Sequence, residues 1–258
     1  MEVVKVDLSQ KLKEVEIHTF ADEHIGDAQC DMERLKERIK YVAETSNAYC
    51  IMNGDILDNA SRSSIGDIET RELNIMGQIQ RGVELFTPIK DKILCITNGN
   101  HENRAYRKEG IDISRLVACQ LGIDNVYSPT SALLFLRFGK MSSHENHRPA
   151  LYTLYCNHGS GGGRKEGAKA IRLADMSCIV DADIYVHSHT HLPMIMKQGF
   201  FRTDLKSSSV QNVTKLFVNT SSNLNYGGYG EAQEFKPNSK DTPVIYLNGC
   251  KKEMYAKL

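Results

Sequence analysis

Ala48-Tyr49-Cys50-Ile51-Met52-Asn53-Gly54-Asp55-Ile56-Leu57-Asp58 is the stretch on which the reading of the whole chain turns. A short apolar run, Ala48 to Met52, stops abruptly at Asn53-Gly54-Asp55, as a buried strand does when it ends by delivering a carboxylate. The same arrangement returns on both sides. Val15 to Phe20 alternates like a strand and runs into Ala21-Asp22-Glu23-His24. Lys92 to Thr97 halts at Asn98-Gly99-Asn100-His101, and Leu151 to Cys156 at Asn157-His158. Ile184 to Val186 is followed by His187, His189 and His191. In an α/β sheet several strand ends lie along one edge, and that edge is where ligands bind. Residues at i and i+2 of extended chain share a side, so Asp22/His24 and His189/His191 are each expected to offer two ligands to one cavity. Gly54 and Gly99 allow the sharp exits from their strands.

Helical patterns separate the strands of the first half. Asp31 to Glu44 carries Met32, Leu35, Ile39 and Val42 at helical spacing, and Asp67 to Phe86 repeats the pattern before Pro88. Asp112 is a candidate N-cap for a helix reaching Leu121, with Gly122 behind it. The second half is richer in strands. Leu133 to Phe138 and Leu151 to Cys156 flank the polar segment Gly139 to Pro149 as a hairpin would, and Arg164 to Met176 reads as a helix. Met194 to Lys197, Phe200 to Leu205, Lys215 to Asn219 and Val244 to Leu247 are further strands. Ser221 to Lys240, polar and glycine-rich, reads as a long loop carrying Tyr226, Tyr229 and Phe235. The expectation is one α/β domain over residues 1–258, with two sheets packed together.

Composition narrows the partners. The 258 residues hold 32 Lys plus Arg against 32 Asp plus Glu, and this balance argues against a generic polyanion binder. It leaves room for one positive pocket. Seven scattered cysteines without a CxxC pair fit reduced thiols in a cytoplasmic protein. No apolar run has the length of a membrane span, and the first ten residues lack the apolar centre of a signal peptide.

Each motif alone is weak evidence, but their order is distinctive. The set Asp22-Glu23-His24, Gly54-Asp55-Ile56-Leu57-Asp58, Gly99-Asn100-His101-Glu102, Asn157-His158-Gly159 and Ser188-His189-Thr190-His191 resembles the calcineurin-like metallophosphoesterase superfamily. The family usually carries Gly in the place of Ser188. The resemblance implies a four-layer αββα sandwich of two mixed β-sheets flanked by helices. It also implies two divalent transition-metal ions, with manganese placed ahead of iron, zinc, cobalt and nickel. Asp22, His24, Asp55 and His191 would hold one ion; Asp55, Asn100, His158 and His189 the other, with Asp55 bridging. His101 would give a proton to the leaving oxygen or stabilise the transition state, and Asp58 would orient His101, a helix cap being its plainer role. His187 would be structural or stand behind the ligands. Two divalent ions against two carboxylates leave a charge of about +2, which suits a phosphate anion. The implied reaction is phosphate-ester hydrolysis by metal-bound hydroxide, without a phosphoenzyme.

Substrate choice is less marked. Arg104 and Arg107 follow the third motif, and Arg164 and Lys165 follow the glycine cluster Gly159 to Gly163, which lacks the spacing of a P-loop. Basic residues, glycine-rich loop and aromatic segment together lean towards a phosphodiester, nucleic acid or nucleotide, the reading of a phosphodiesterase or nuclease. A phosphomonoesterase or protein phosphatase is the alternative, although Asp58 is followed by Asn59-Ala60-Ser61-Arg62 and not by the Arg-Gly of protein phosphatases. A non-catalytic metal-binding scaffold of the same fold is the other; such proteins typically lose ligands or the catalytic histidine, and here all are present. Oligomeric state stays open.

Overall fold

The computed structural model describes residues 1–60, 73–139 and 149–258. Twelve strands among them form two mixed six-stranded sheets. In the first sheet the order is β1 (Glu2–Leu8), β6 (Ser131–Phe138), β7 (Leu151–Asn157), β8 (Ile184–His187), β10 (Ser209–Asn219) and β9 (Met194–Asp204). In the second it is β12 (Met254–Lys257), β11 (Val244–Asn248), β2 (Glu14–Phe20), β3 (Ala48–Asn53), β4 (Ile93–Thr97) and β5 (Tyr127–Ser128). The strands β2, β3 and β4 run parallel, as do β7, β8 and β10. Their C-terminal ends are the places where the polar motifs begin.

Three apolar clusters stack the layers. The central one joins inward residues of both sheets, Ile17, Ile51 and Leu94 from one and Leu134, Cys156, Val186 and Leu216 from the other. A second lies outside β2–β4, where α1 (Met32–Glu44), α2 (Ile75–Phe86) and α4 (Ile113–Leu121) lay down Leu35, Ile39, Val42, Ile79, Phe86, Val117 and Leu121. A third lies outside the first sheet beneath Leu173 of α5 (Glu166–Asp175). Each such buried aliphatic side chain stabilises by about 1.5–3 kcal/mol. The arrangement is the expected αββα sandwich.

Local chemistry sets the element ends. Asp31, Asn74 and Asp112 each accept a hydrogen bond from the backbone N–H three residues on, starting α1, α2 and α4. Gly122 ends α4 in the left-handed region.

Several boundaries differ from expectation. The helix read from Asp67 starts at Ile75, and residues 61–72 lie outside the described residues, as do 140–148 of the expected hairpin connection. The strands read as Met194–Lys197 and Phe200–Leu205 are one strand, because Gly199 keeps register opposite Thr214. β1, β5 and β12, and the helix α3 (Asn100–Glu109), are additional to the sequence reading. Within Ser221–Lys240 a short helix, α6 (Gly228–Ala232), forms, while Ser221, Ser222 and Asn223 are buried. Among the described residues no helix is long and apolar enough to cross a membrane.

Candidate metal centre

Asp22, His24, Asp55, Asn100, His158, His189 and His191 converge where the parallel strands end. Their donor atoms fall into two groups. Asp22, His24 and His191 offer atoms within 4.8 Å of one another, and so do Asp55, His158 and His189. Asn100 joins the second group through Oδ1, 3.2 Å from His158 Nε2. The groups meet at Asp22 Oδ1 and His158 Nε2, 3.9 Å apart.

The route to this convergence is not the extended chain expected for the i, i+2 pairs. Asp22, His24, Asp55, His189 and His191 all occupy the left-handed region, with φ between 51° and 63°. Side chains with a Cβ rarely sit there, and such strain concentrates at functional sites. The tight turns split the His189/His191 pair, sending one imidazole to each group. Close packing makes the turns possible. A Cβ at Gly99 would lie 2.0 Å from Asp55 Oδ1, and one at Gly54 would lie 2.7 Å from His158 Nδ1. Glycine is obligatory at both for want of space.

Orienting hydrogen bonds prepare the ligands. His158 Nδ1 bonds the Asn53 carbonyl at 2.8 Å, which turns Nε2 towards Asp55 Oδ2, 3.2 Å away. His101 N–H donates to Asp55 Oδ1 at 2.8 Å, and His189 N–H to Asp22 Oδ2 at 3.0 Å. The Asp22 carbonyl accepts from Asn223 N–H and the Ser222 hydroxyl. Ser188, where the resemblance leads one to expect Gly, has a use: its hydroxyl accepts from Asn53 Nδ2 at 2.8 Å and ties the two sheets together.

Charge is heavily concentrated. Burial opposes ionisation of His158, but the Asp55 and Asp22 carboxylates overcome it and raise its pKa to about 10. His24 is likewise raised to about 9 against burial, by Asp58, Asp55 and Asp22. The carboxyl groups of Asp22 and Asp55 are held below the usual range by the surrounding imidazoles, despite burial. Burial, then the neighbouring His158, lowers His189 to about 4, so it is neutral at physiological pH.

This donor set fits divalent cations. Both ring nitrogens of His24 are buried without a hydrogen-bond partner, between carboxylates. An orphaned imidazole of that kind is a costly arrangement that a bound cation resolves. Oxygen and imidazole donors without thiolate suit first-row divalent ions.

His101 lies beside both groups, its Nε2 3.8 Å from Asp55 Oδ2 and its Nδ1 2.5 Å from the Asp58 carbonyl. Asp58 Oδ1 stands 3.3 Å from the same Nδ1 and 3.8 Å from His24 Nδ1, so Asp58 contacts both imidazoles, as an orienting residue would. The Arg104 guanidinium lies against His101, with Nη1 3.3 Å from Nδ1 and Nη2 3.1 Å from Nε2. Arg107 is exposed one turn further along α3. Arg164 is exposed and lies over Phe235, which gives it a partner in the 221–240 segment and not among the ligands. His187 is structural: buried, with Nδ1 2.8 Å from Asn219 Oδ1.

Two residues of the centre stood in the quoted motifs without a role. Glu102 is buried and accepts from the backbone N–H groups of Asp55, Leu57 and Gly99 at 2.9, 3.0 and 3.0 Å, clamping two motifs together. The visible signal was its place three residues after Gly99, the Glu of a capping box. Asn53 supplies the carbonyl that orients His158 and the amide that reaches Ser188, and only its position at a strand end marked it.

No model of a known protein family matches the chain, and no curated protein matches it. Among solved structures it is similar to vacuolar protein sorting 29 from Cryptosporidium parvum (13% identity over 95% of this chain and 98% of that one, TM-score 0.45). It is also similar to a metallophosphoesterase from Sphaerobacter thermophilus (14% identity, 91% and 84% coverage, TM-score 0.39). A predicted phosphoesterase from Streptococcus pneumoniae is another (14%, 95% and 99%, TM-score 0.35). With TM-scores below 0.5, none of these likenesses bears on the activity of this chain.

Proposed function

We propose that this chain is a metal-dependent phosphoesterase with a dinuclear centre, acting on a phosphodiester. The observation that supports it most is the pair of adjacent ligand groups built on left-handed backbone, Asp22/His24/His191 and Asp55/His158/His189. On this reading Asp22, His24 and His191 would hold one divalent cation, and Asp55, His158 and His189, with Asn100, would hold the other. Bound divalent ions supply Lewis-acid charge that activates water and neutralises the phosphoryl oxygens.

The protein's own residues do the rest. Asp58, through its carbonyl, holds the Nδ1 side of His101, and Nε2 lies between Arg104 Nη2 and Asp55 Oδ2. From there Nε2 can deliver a proton to the departing oxygen, a step that matters most for a poor leaving group. Arg104 brings fixed positive charge to the same edge, where a phosphate oxygen would lie. Glu102 keeps the Asp55 and Gly99 turns in register, so that the Asp55 carboxylate and His101 stay aligned.

A panel of esters with added manganese tests the reading. Hydrolysis of bis-nitrophenyl phosphate faster than nitrophenyl phosphate is expected, and cleavage of the monoester alone would contradict the diester preference. In the same assay H101A should slow alkyl diesters at least 10-fold more than nitrophenyl diesters, within the about 10²–10⁴-fold range of general-acid catalysis. Equal losses on both would remove His101 from the proton-donor role.

A further inference from the structure

Two segments that leave the ligand groups meet again. The chain that follows His158 reaches Arg164 after six residues. The segment that follows Ser222 and Asn223, whose groups bond the Asp22 carbonyl, carries Tyr226, Tyr229 and Phe235. The Arg164 guanidinium lies 5.2 Å from the centroid of Phe235, and Tyr229 meets Phe235 edge to face at 6.0 Å. Lys236 pairs with Glu166 at the start of α5, and Lys240 with Asp31 at the start of α1. Asn225 N–H donates to the Gln29 carbonyl. The 221–240 segment is therefore fastened both to the loop leaving Asp22 and to the loop leaving His158.

This fastening holds a partly cationic aromatic surface open. Phe235 remains 41% exposed and Tyr229 39%, and Arg164 is exposed as well. Three large planar groups packed on one another yet left in solvent do little for the core, where their burial would be worth most. Aromatic rings beside an Arg guanidinium are the surface on which nucleobases stack, every base having a π-face. Arg164 follows the ligand His158 by six residues, so on the phosphodiesterase reading the attached phosphate would be directed back towards the ligand groups, whose bound cations would supply the positive charge.

We infer that Arg164, Tyr229 and Phe235 form a base-stacking shelf that takes the nucleobase of the substrate, so that the ester hydrolysed is a nucleobase-bearing phosphodiester. The inference rests on the phosphodiesterase reading for the link to catalysis, but binding to the shelf can be measured without it. The chain contains no Trp, so F235W places a single tryptophan on the shelf. Adenosine 5′-monophosphate should quench its emission saturably, ribose 5-phosphate should not, and R164A in the same background should weaken the quench. Equal responses to both compounds, or none to the nucleotide, would overturn the shelf. In a second arm, kcat/KM is compared for thymidine 5′-nitrophenyl phosphate and methyl nitrophenyl phosphate, which share a leaving group. F235A should lower the nucleoside-to-methyl ratio about 10-fold, the scale of one stacked base, and F235Y should restore it. A ratio that stays constant would contradict the shelf. Nucleotide quenching without hydrolysis of either ester would retain the shelf and remove the catalytic reading.

Discussion

The two ligand groups are made of the same residue types but are held differently. In the Asp55 group the fixing is dense. His158 is turned by the Asn53 carbonyl, Asp55 Oδ1 is engaged by His101 N–H, and the Asp55 N–H is anchored on Glu102. In the Asp22 group the carboxylate is bonded, yet the His24 ring makes no hydrogen bond and the His191 side chain is 27% exposed. The His158 side chain, by contrast, is 3% exposed. An orienting partner behind a ligand is worth about 10- to 100-fold in metal affinity. The Asp55 group should therefore hold its ion more tightly than the Asp22 group, although the two meet at Asp22 Oδ1 and His158 Nε2.

The largest expected effect comes from removing one ligand from each group. H158A should lose the tight ion and lower manganese affinity at least 100-fold in a calorimetric titration. H24A should remove only the weaker binding event and leave one tight equivalent per chain. The reverse order of affinities would break the comparison.

A smaller effect follows from charge. In the metal-free chain His158 and His24 titrate near 10 and 9, well above an unfolded histidine near 6.5. Their contribution to metal-free stability is fully present below about pH 6.5 and is lost as pH rises through 9 and 10. Metal and proton compete for the same imidazoles, so loading at pH 7.5 should release two protons, one from each residue. Titrations in buffers of different ionisation enthalpy measure that number; no release would contradict the assigned charge states.

The smallest effect is at the seam between the sheets. S188G removes the hydroxyl that accepts from Asn53 and should cost about 1 kcal/mol of stability, read as a lower denaturation midpoint. An unchanged midpoint would mean that the Asn157 carbonyl, 3.1 Å from the same Nδ2, satisfies Asn53 alone.

The ligands were legible in the sequence because each interrupts an apolar strand. Asp55 after Ala48–Met52 and His158 after Leu151–Cys156 are breaks that a single sequence displays. The backbone that aims them was not, since left-handed φ at Asp22 or His189 leaves no trace in hydrophobic periodicity. Helix α3 escaped for a related reason: Glu102 is its only buried residue, so it has no apolar stripe to read. The edge strand β1 alternates Val4, Val6 and Leu8 with Lys5 and Asp7 but buries only two residues, and the four-residue β12 is too short to show a period. Glu102 itself acts across 45 and 47 residues of sequence, a distance at which pattern reading has no grip.

The most direct test of the centre is anomalous diffraction from crystals grown with manganese. Two peaks about 3.5–4 Å apart, one on each side of the Asp55 carboxylate and ligated by His158 and His191 respectively, are the predicted result. A single peak, or His158 and His189 turned away from the metal, would contradict it.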